Sequence, residues 1–297
     1  MKSLRNTEYY NLNMMKNKEW SVIMKKSLIS FLIATTTVTS MLCSFHPYIC
    51  NAETISTTEA PSVDCNSLSR KKIGFGIKHC KNGEIPCAGS EIDNLFNKYD
   101  GHYLGKTDGK NLYLTFDSGY ENGYTEKILD ALKNNNVKAA FFVTTPYMKE
   151  NPNIIKRMVA EGHIVGNHTT THPSMPTVTD FSKFEKELVT NSETFKEITG
   201  QEMPKYFRPP MGEFSELSLY YTTKLGYKSM LWSFAYKDWD NNKQMDPSVA
   251  KKTIKECLHN GEVFLLHSVS KTNAEILDSV LKDLKAEGYT FHTLDEM

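Results

Sequence analysis

The chain has 297 residues, 39% of them hydrophobic and 24% charged, with 35 Lys or Arg balanced by 35 Asp or Glu. That is the make-up of an ordinary globular protein and excludes a mainly disordered chain. Residues 1–52 hold six Lys or Arg against two Asp or Glu, which leaves a net charge of −4 for the rest and argues against nucleic-acid binding through charge.

A leader comes first. Lys25 and Lys26 precede the apolar run Leu28, Ile29, Phe31, Leu32, Ile33 and Ala34, with Val38, Met41 and Leu42 beyond a Thr-rich patch. This is the pattern of a secretory signal, with cleavage expected after Ala52. An uncleaved membrane anchor is the alternative, although the run is short for a spanning helix. Leu42 before Cys43 is a poor residue for a lipoprotein signal, and residues 1–23 are either a long leader or follow an unused start. Thr- and Ser-rich residues 53–70 read as a linker. Residues 71–108, with scattered aromatics and Gly74, Gly89, Gly101 and Gly105, read as an irregular N-terminal extension. In an exported chain a pair such as Cys80 and Cys87 is open to oxidation; Cys65 and Cys257 complete the set beyond the leader.

From residue 109 to 297 strands and helices alternate. The apolar patterns predict strands at 112–116, 139–143, 163–165, 206–208, 228–232, 262–266 and 290–294. Between them helices are predicted at 124–134, 181–199, 215–225, 247–259 and 273–287, and Pro152 opens another through Ile154, Ile155, Met158 and Val159 that Gly162 ends. Repeated β–α units of this length favour an α/β fold, a mainly parallel sheet or barrel with functional residues at the C-terminal strand ends.

Polar residues fall at those ends. Asp117 and Ser118 follow strand 112–116, although an Asp-Ser-Gly run is more often simply a turn. His168 and His172 are four apart, so on a helical turn both imidazoles face one metal ion; packed or surface histidines are the plainer alternative. Arg208 ends a strand before Pro209-Pro210-Met211-Gly212, Asp238-Trp239 ends another, and His267 follows Val263–Leu266 where it can serve as general acid or base or simply cap the strand. The remaining histidines, His46, His79, His102, His163, His259 and His292, read as bystanders, with His163 a candidate for burial.

In order along the chain, TFDSG, HTTTH, RPPMG, KDW and LLHSV resemble the motifs of the NodB-homology polysaccharide deacetylases, carbohydrate esterase family four. Within that family TFDSGYENGYT, FRPPMGEFSE, WSFAYKDWD and LLHSVSKTNAE resemble the delta-lactam-biosynthetic muramic-acid deacetylases of endospore formers. The resemblance implies a distorted (β/α) barrel and hydrolytic removal of N-acetyl groups from muramic acid in peptidoglycan, leading to the muramic delta-lactam of spore cortex. It implies Asp117 as general base with Arg208 as its charged partner, and His267 as general acid oriented by Asp238. Met211 would offer a backbone N–H to the oxyanion, Trp239 and Leu265 would line the acetyl pocket, and Tyr120 and Tyr124 a subsite near them.

It also implies a divalent metal on His168 and His172, zinc first, with manganese and magnesium as alternatives. Ser118 departs from the pattern, standing where most of the family carries a ligating Asp, so an anionic ligand is missing and the ion would be held weakly. The implied partner is a peptidoglycan strand already stripped of peptide by an amidase, with no nucleic acid and with the membrane touched only through the leader. The implied location is outside the cytoplasmic membrane, in the cell wall or the forespore intermembrane space. An N-acetylglucosamine deacetylase, a catalytically weak glycan-binding module and a two-carboxylate glycoside hydrolase using Asp117 and Asp238 are the competing readings.

Overall fold

The computed structural model describes residues 63–297, so the predicted leader, its cleavage site and most of the linker lie outside the described residues. Along these residues run β1 (Ile73–Gly74), α1 (Ser90–Lys98), β2 (Gly101–His102), β3 (Asn111–Ser118), α2 (Thr125–Asn134), β4 (Ala140–Val143), α3 (Thr145–Glu150), α4 (Pro152–Ala160) and β5 (Ile164–Asn167). There follow α5 (Phe181–Thr199), β6 (Tyr206–Phe207), β7 (Glu213–Phe214), α6 (Glu216–Lys224), β8 (Lys228–Met230), β9 (Phe234–Ala235), α7 (Pro247–Cys257), β10 (Glu262–His267), α8 (Lys271–Ala286) and β11 (Thr290–His292). No helix among the described residues is long and apolar enough to cross a membrane.

The main sheet has the order β2-β8-β6-β5-β4-β3-β10-β9, with β11 beside the start of β3. Every pairing in it is parallel. Strands β8 and β9 are one stretch of chain interrupted only by Leu231, Trp232 and Ser233. Its start pairs with β6 and its end with β10, and the Ser233 N–H donates to Val263 O at 2.9 Å. This stretch draws the two ends of the sheet together, giving the mainly parallel arrangement that the alternation predicts and the distorted barrel that the resemblance implies.

The two-residue period of the strands sorts their side chains. Leu112, Leu114 and Phe116 of β3, Phe141 and Val143 of β4 and Phe264 and Leu266 of β10 pack outward against Ile128, Leu132, Ile155, Leu277 and Leu281 of the helices. The alternate residues Tyr113, Phe142 and Val263 face inward. Asp117 continues the inward series of β3 and His267 that of β10, whereas Ser118 continues the outward one.

The extension is more regular than its composition predicts. It contains α1; β1 pairs antiparallel with β7, and β2 joins the main sheet beside β8. Phe75 and Phe96 bury their rings against Phe214, Trp232 and Leu265, contacts far apart in sequence that local composition could not reveal. Cys65, Cys80, Cys87 and Cys257 are free thiols, so the Cys80–Cys87 pairing is not formed.

Candidate active site

Asp117 occupies the C-terminal end of β3, paired in register with His267 at the end of β10, so the two side chains rise side by side from the inner face. Both belong to their strands rather than to turns after them. Arg208 follows β6 directly and is fully buried. Its Nη1 meets Asp117 Oδ1 at 2.9 Å, its Nε donates to Met230 O at 2.9 Å and its Nη2 to Leu231 O at 3.1 Å. The guanidinium lies over the Phe142 ring, 4.2 Å from its centroid. Gly166 leaves room for that ring, since a Cβ there would lie 2.8 Å from it. A buried carboxylate is tolerated only with such a partner. Burial pushes the Asp117 pKa up, but Arg208, His168 and His267 outweigh it and hold the carboxyl below its usual range.

His168 and His172 come together, though not on a helical turn. They lie in the loop after β5, where Thr169 (φ 70°) and His172 (φ 58°) adopt the left-handed conformation that side chains rarely enter. Helix α5 holds this loop. Asn191 Nδ2 donates to Thr169 O at 2.9 Å, and Glu187 Oε2 accepts from Thr170 N at 3.0 Å and Thr171 N at 2.8 Å. The two imidazole centroids end 4.9 Å apart. His168 Nδ1 donates to Arg208 O at 2.8 Å, which leaves Nε2 unprotonated and facing Asp117 Oδ2 at 3.6 Å. Burial depresses its pKa to about 4, so the ring is neutral near pH 7.

Two acceptors facing each other call for a cation or a water between them, and an imidazole whose far nitrogen is held by a carbonyl is the usual form of a metal ligand. A third ligand, an anionic one, is absent beside the two neutral imidazoles: among the described residues no three His, Cys, Asp or Glu side chains form a group that could hold a metal ion. Ser118 does not substitute. Its hydroxyl lies on the outward face of β3 and hydrogen-bonds the Ser268 hydroxyl. The donor set therefore fits a divalent ion held by two imidazoles and water, a weak site.

On the other flank Asp238 stands in the loop beyond β9 rather than at the strand end. It is buried, with Oδ1 accepting from His267 Nδ1 at 2.7 Å and Oδ2 from the His267 backbone N–H at 2.8 Å. Asn273 Nδ2 donates to the same Oδ2 at 2.6 Å. Burial alone would lower the His267 pKa, but the Asp238 carboxylate more than reverses this, so the pKa is raised and the imidazolium favoured.

Met211 follows Pro210 with φ 59° and precedes Gly212 with φ 64°. Its backbone N–H has no acceptor among the described residues, and Gly212 O accepts from Phe75 N at 2.9 Å, so the extension braces this turn. Met211, Trp239 and Tyr120 are 54%, 51% and 49% exposed, which is unusual for large apolar groups. The Trp239 ring lies 5.6 Å from that of His267. Leu265, two residues before His267 on the same face, is buried against Trp232. Tyr124 is half-buried just before α2, and its backbone N–H donates to Glu121 Oε1 at 3.0 Å.

The polysaccharide deacetylase family model matches residues 104–230. The peptidoglycan-N-acetylmuramic acid deacetylase PdaA of Bacillus subtilis is 43% identical over 236 residues, which span 80% of this chain and 89% of that protein. The chain belongs to the polysaccharide deacetylase family. An uncharacterized 30.6 kDa protein of Geobacillus stearothermophilus is 48% identical to this deacetylase over 78% of the chain and 87% of its own length. The solved structure of Bacillus subtilis PdaA, a family 4 carbohydrate esterase, superposes with a TM-score of 0.75 at 44% identity, covering 77% of this chain and 97% of that one.

Sequence reasoning missed several residues of the deacetylase site. Asn191 carried a signal, since it sits on the buried stripe of α5 with Phe184, Leu188 and Phe195, where a polar residue needs a reason. Asn273 and Ser268 carried none beyond their nearness to His267. The bystander histidines 163 and 259 are buried beside the N-terminal ends of β5 and β10, away from the site.

Proposed function

We propose that this chain hydrolyses the N-acetyl group of muramic acid in peptidoglycan outside the cytoplasmic membrane. The observation that carries the reading is the pairing of Asp117 and His267 on adjacent strand ends, one held ionised by Arg208 and the other held protonated by Asp238. A carboxylate base beside an imidazolium acid suits amide hydrolysis, which needs a proton removed from water and one delivered to the leaving nitrogen. The likeness to PdaA over most of both chains supports the substrate.

In the reaction Asp117 takes a proton from a water as its oxygen attacks the acetyl carbon. The Met211 N–H receives the negative charge that develops on the carbonyl oxygen. His267 passes its proton to the nitrogen as the C–N bond breaks, giving acetate and a free amine. Trp239 shields the acid from solvent on one side. Deacetylases of the family are metalloenzymes, and a zinc, manganese or magnesium ion on His168 and His172 would supply further polarisation of the acetyl carbonyl. The freed amine sits beside the lactyl carboxyl of the same sugar and can close on it to the muramic delta-lactam. The substrate of this reading is a strand whose stem peptide an amidase has removed, in the cell wall or the forespore intermembrane space.

The test is acetate release by the exported portion of the chain from amidase-treated peptidoglycan, with chelator and then with each metal added. Metal-stimulated release from muramic acid, lost in Asp117→Ala, is expected. Release from N-acetylglucosamine oligomers alone would move the substrate to that sugar, and glycan binding without release under any metal would replace the enzyme by a binding module.

A further inference from the structure

The two histidines beside Asp117 are held in different ways. His168 is buried, and its Nδ1 donates to Arg208 O at 2.8 Å, so its ring is fixed directly. His172 is half-buried, and its backbone N–H donates to Thr169 Oγ1 at 2.9 Å. Among the described residues no other residue hydrogen-bonds its ring. The place of the His172 imidazole is therefore set by the course of residues 169–172, two of which, Thr169 and His172, are left-handed. Outside glycine that conformation is unfavourable and persists only where the surroundings impose it.

Helix α5 imposes it. The half-buried Glu187 carboxylate accepts from the backbone N–H groups of Thr170 at 3.0 Å and Thr171 at 2.8 Å and from the Thr171 hydroxyl at 2.7 Å, and the Thr170 hydroxyl donates to Glu187 O at 2.9 Å. Asn191, one turn further along the helix, donates to Thr169 O at 2.9 Å and Val143 O at 3.0 Å, which ties the same loop to the end of β4. Hydrogen bonds to a carboxylate are roughly twice as strong as those between neutral groups, so Glu187 is the firmest of these holds. A carboxylate on a solvated helix face has no need of such partners. Three donors drawn from the two residues before His172 make this one a clamp on that residue.

We infer that Glu187 is a positioning residue: its hold on the Thr170–Thr171 backbone keeps the His172 ring beside that of His168, 4.9 Å between centroids, and the affinity of the pair for a divalent ion depends on that hold. The inference rests on the proposed metal site at His168 and His172. With two neutral imidazoles and no anionic ligand, the site gains little Coulomb attraction from its ligands, so the prior placement of the second imidazole counts for more. The role of Glu187 is geometric. The loop needs an acceptor oxygen facing two N–H groups, which a glutamine amide also supplies, while the Thr171 hydroxyl can rotate to accept from the amide NH2. An aspartate keeps the charge but stops one methylene short.

The experiment titrates zinc into the full chain by calorimetry, for the parent and for Glu187→Gln, Glu187→Asp, Glu187→Ala and His168→Ala, with the unfolding midpoint of each measured without metal. His168→Ala should abolish the binding, which assigns it to this site. Glu187→Ala and Glu187→Asp should weaken it by about 10–100-fold, the usual effect of losing an outer partner of a metal ligand, while Glu187→Gln should stay within about threefold of the parent. If Glu187→Ala fails to fold, Glu187→Asp carries the same test. Parental affinity in Glu187→Asp, or a Glu187→Gln as weak as Glu187→Ala, overturns the inference and leaves the metal site standing, since charge rather than position would then be what Glu187 supplies. So does a lowered unfolding midpoint with affinity unchanged. Zinc binding that survives His168→Ala, or none by the parent, overturns the inference and the metal site together, whereas the proposed deacetylation stands or falls separately on acetate release.

Discussion

Replacing Asp238 by Asn keeps the shape of the side chain and removes the charge that sustains the His267 imidazolium. The carboxylate accepts from His267 Nδ1 at 2.7 Å, the His267 backbone N–H at 2.8 Å and Asn273 Nδ2 at 2.6 Å. An Asn there has one oxygen, which must serve the two donors now shared by Oδ2, so its NH2 turns toward Nδ1. Nδ1 then has to accept, and the ring is held neutral. Burial, which lowers the pKa, becomes the dominant influence on His267. In the parent the raised pKa keeps the acid protonated to higher pH, and kcat/KM falls as pH rises through it; in the variant that alkaline limb moves to lower pH. General acid assistance contributes ~10²–10⁴-fold, or about 3–5 kcal/mol of barrier, so kcat/KM near pH 7 should drop at least about 100-fold. The assay is acetate release from amidase-treated peptidoglycan across the pH range of histidine titration. A variant within tenfold of the parent, with its alkaline limb unmoved, would refute the assignment of His267 as the acid.

Two further predictions concern the supports of the site. Arg208→Met leaves the Asp117 carboxylate buried without a counter-charge and should cost about 3–5 kcal/mol in chemical denaturation. Adding Asp117→Asn should recover part of that loss without restoring acetate release, whereas an unchanged unfolding midpoint in Arg208→Met would show that the pair is not what keeps Asp117 ionised. Gly212→Ala asks an L-residue to hold φ 64° with its Cβ 2.6 Å from the Trp232 ring. It should cost at least about 1 kcal/mol and lower kcat more than it raises KM, because the neighbouring Met211 N–H is displaced; a shift in KM alone would count against the oxyanion role.

The alternation of strands and helices was legible because each element announces itself locally. Strand β3 reads as an apolar run, α5 as a stripe at helical spacing bounded by Asp180 and Gly200, and both appear where the pattern places them. The two-residue period of β3 also carries the fate of Ser118, since a residue next to an inward-facing Asp must face outward. The motif residues Asp117, Arg208, Asp238 and His267 were legible as polar interruptions near strand ends, and the structure brings them into one constellation.

What tertiary structure alone decided is how these residues are held. The spacing of His168 and His172 suggested a helical turn, but a loop with two left-handed residues brings them together, and its clamps, Glu187 and Asn191, come from a separate helix. The helix and strand in the extension, the bracing of Gly212 by Phe75, and the hold of Asn273 on Asp238 likewise join segments far apart in the chain. Local sequence specifies φ/ψ preference and which face of an element is apolar; it carries no record of which distant group will meet a buried donor or charge. That is settled only when the sheet closes and each buried polar atom must find a partner.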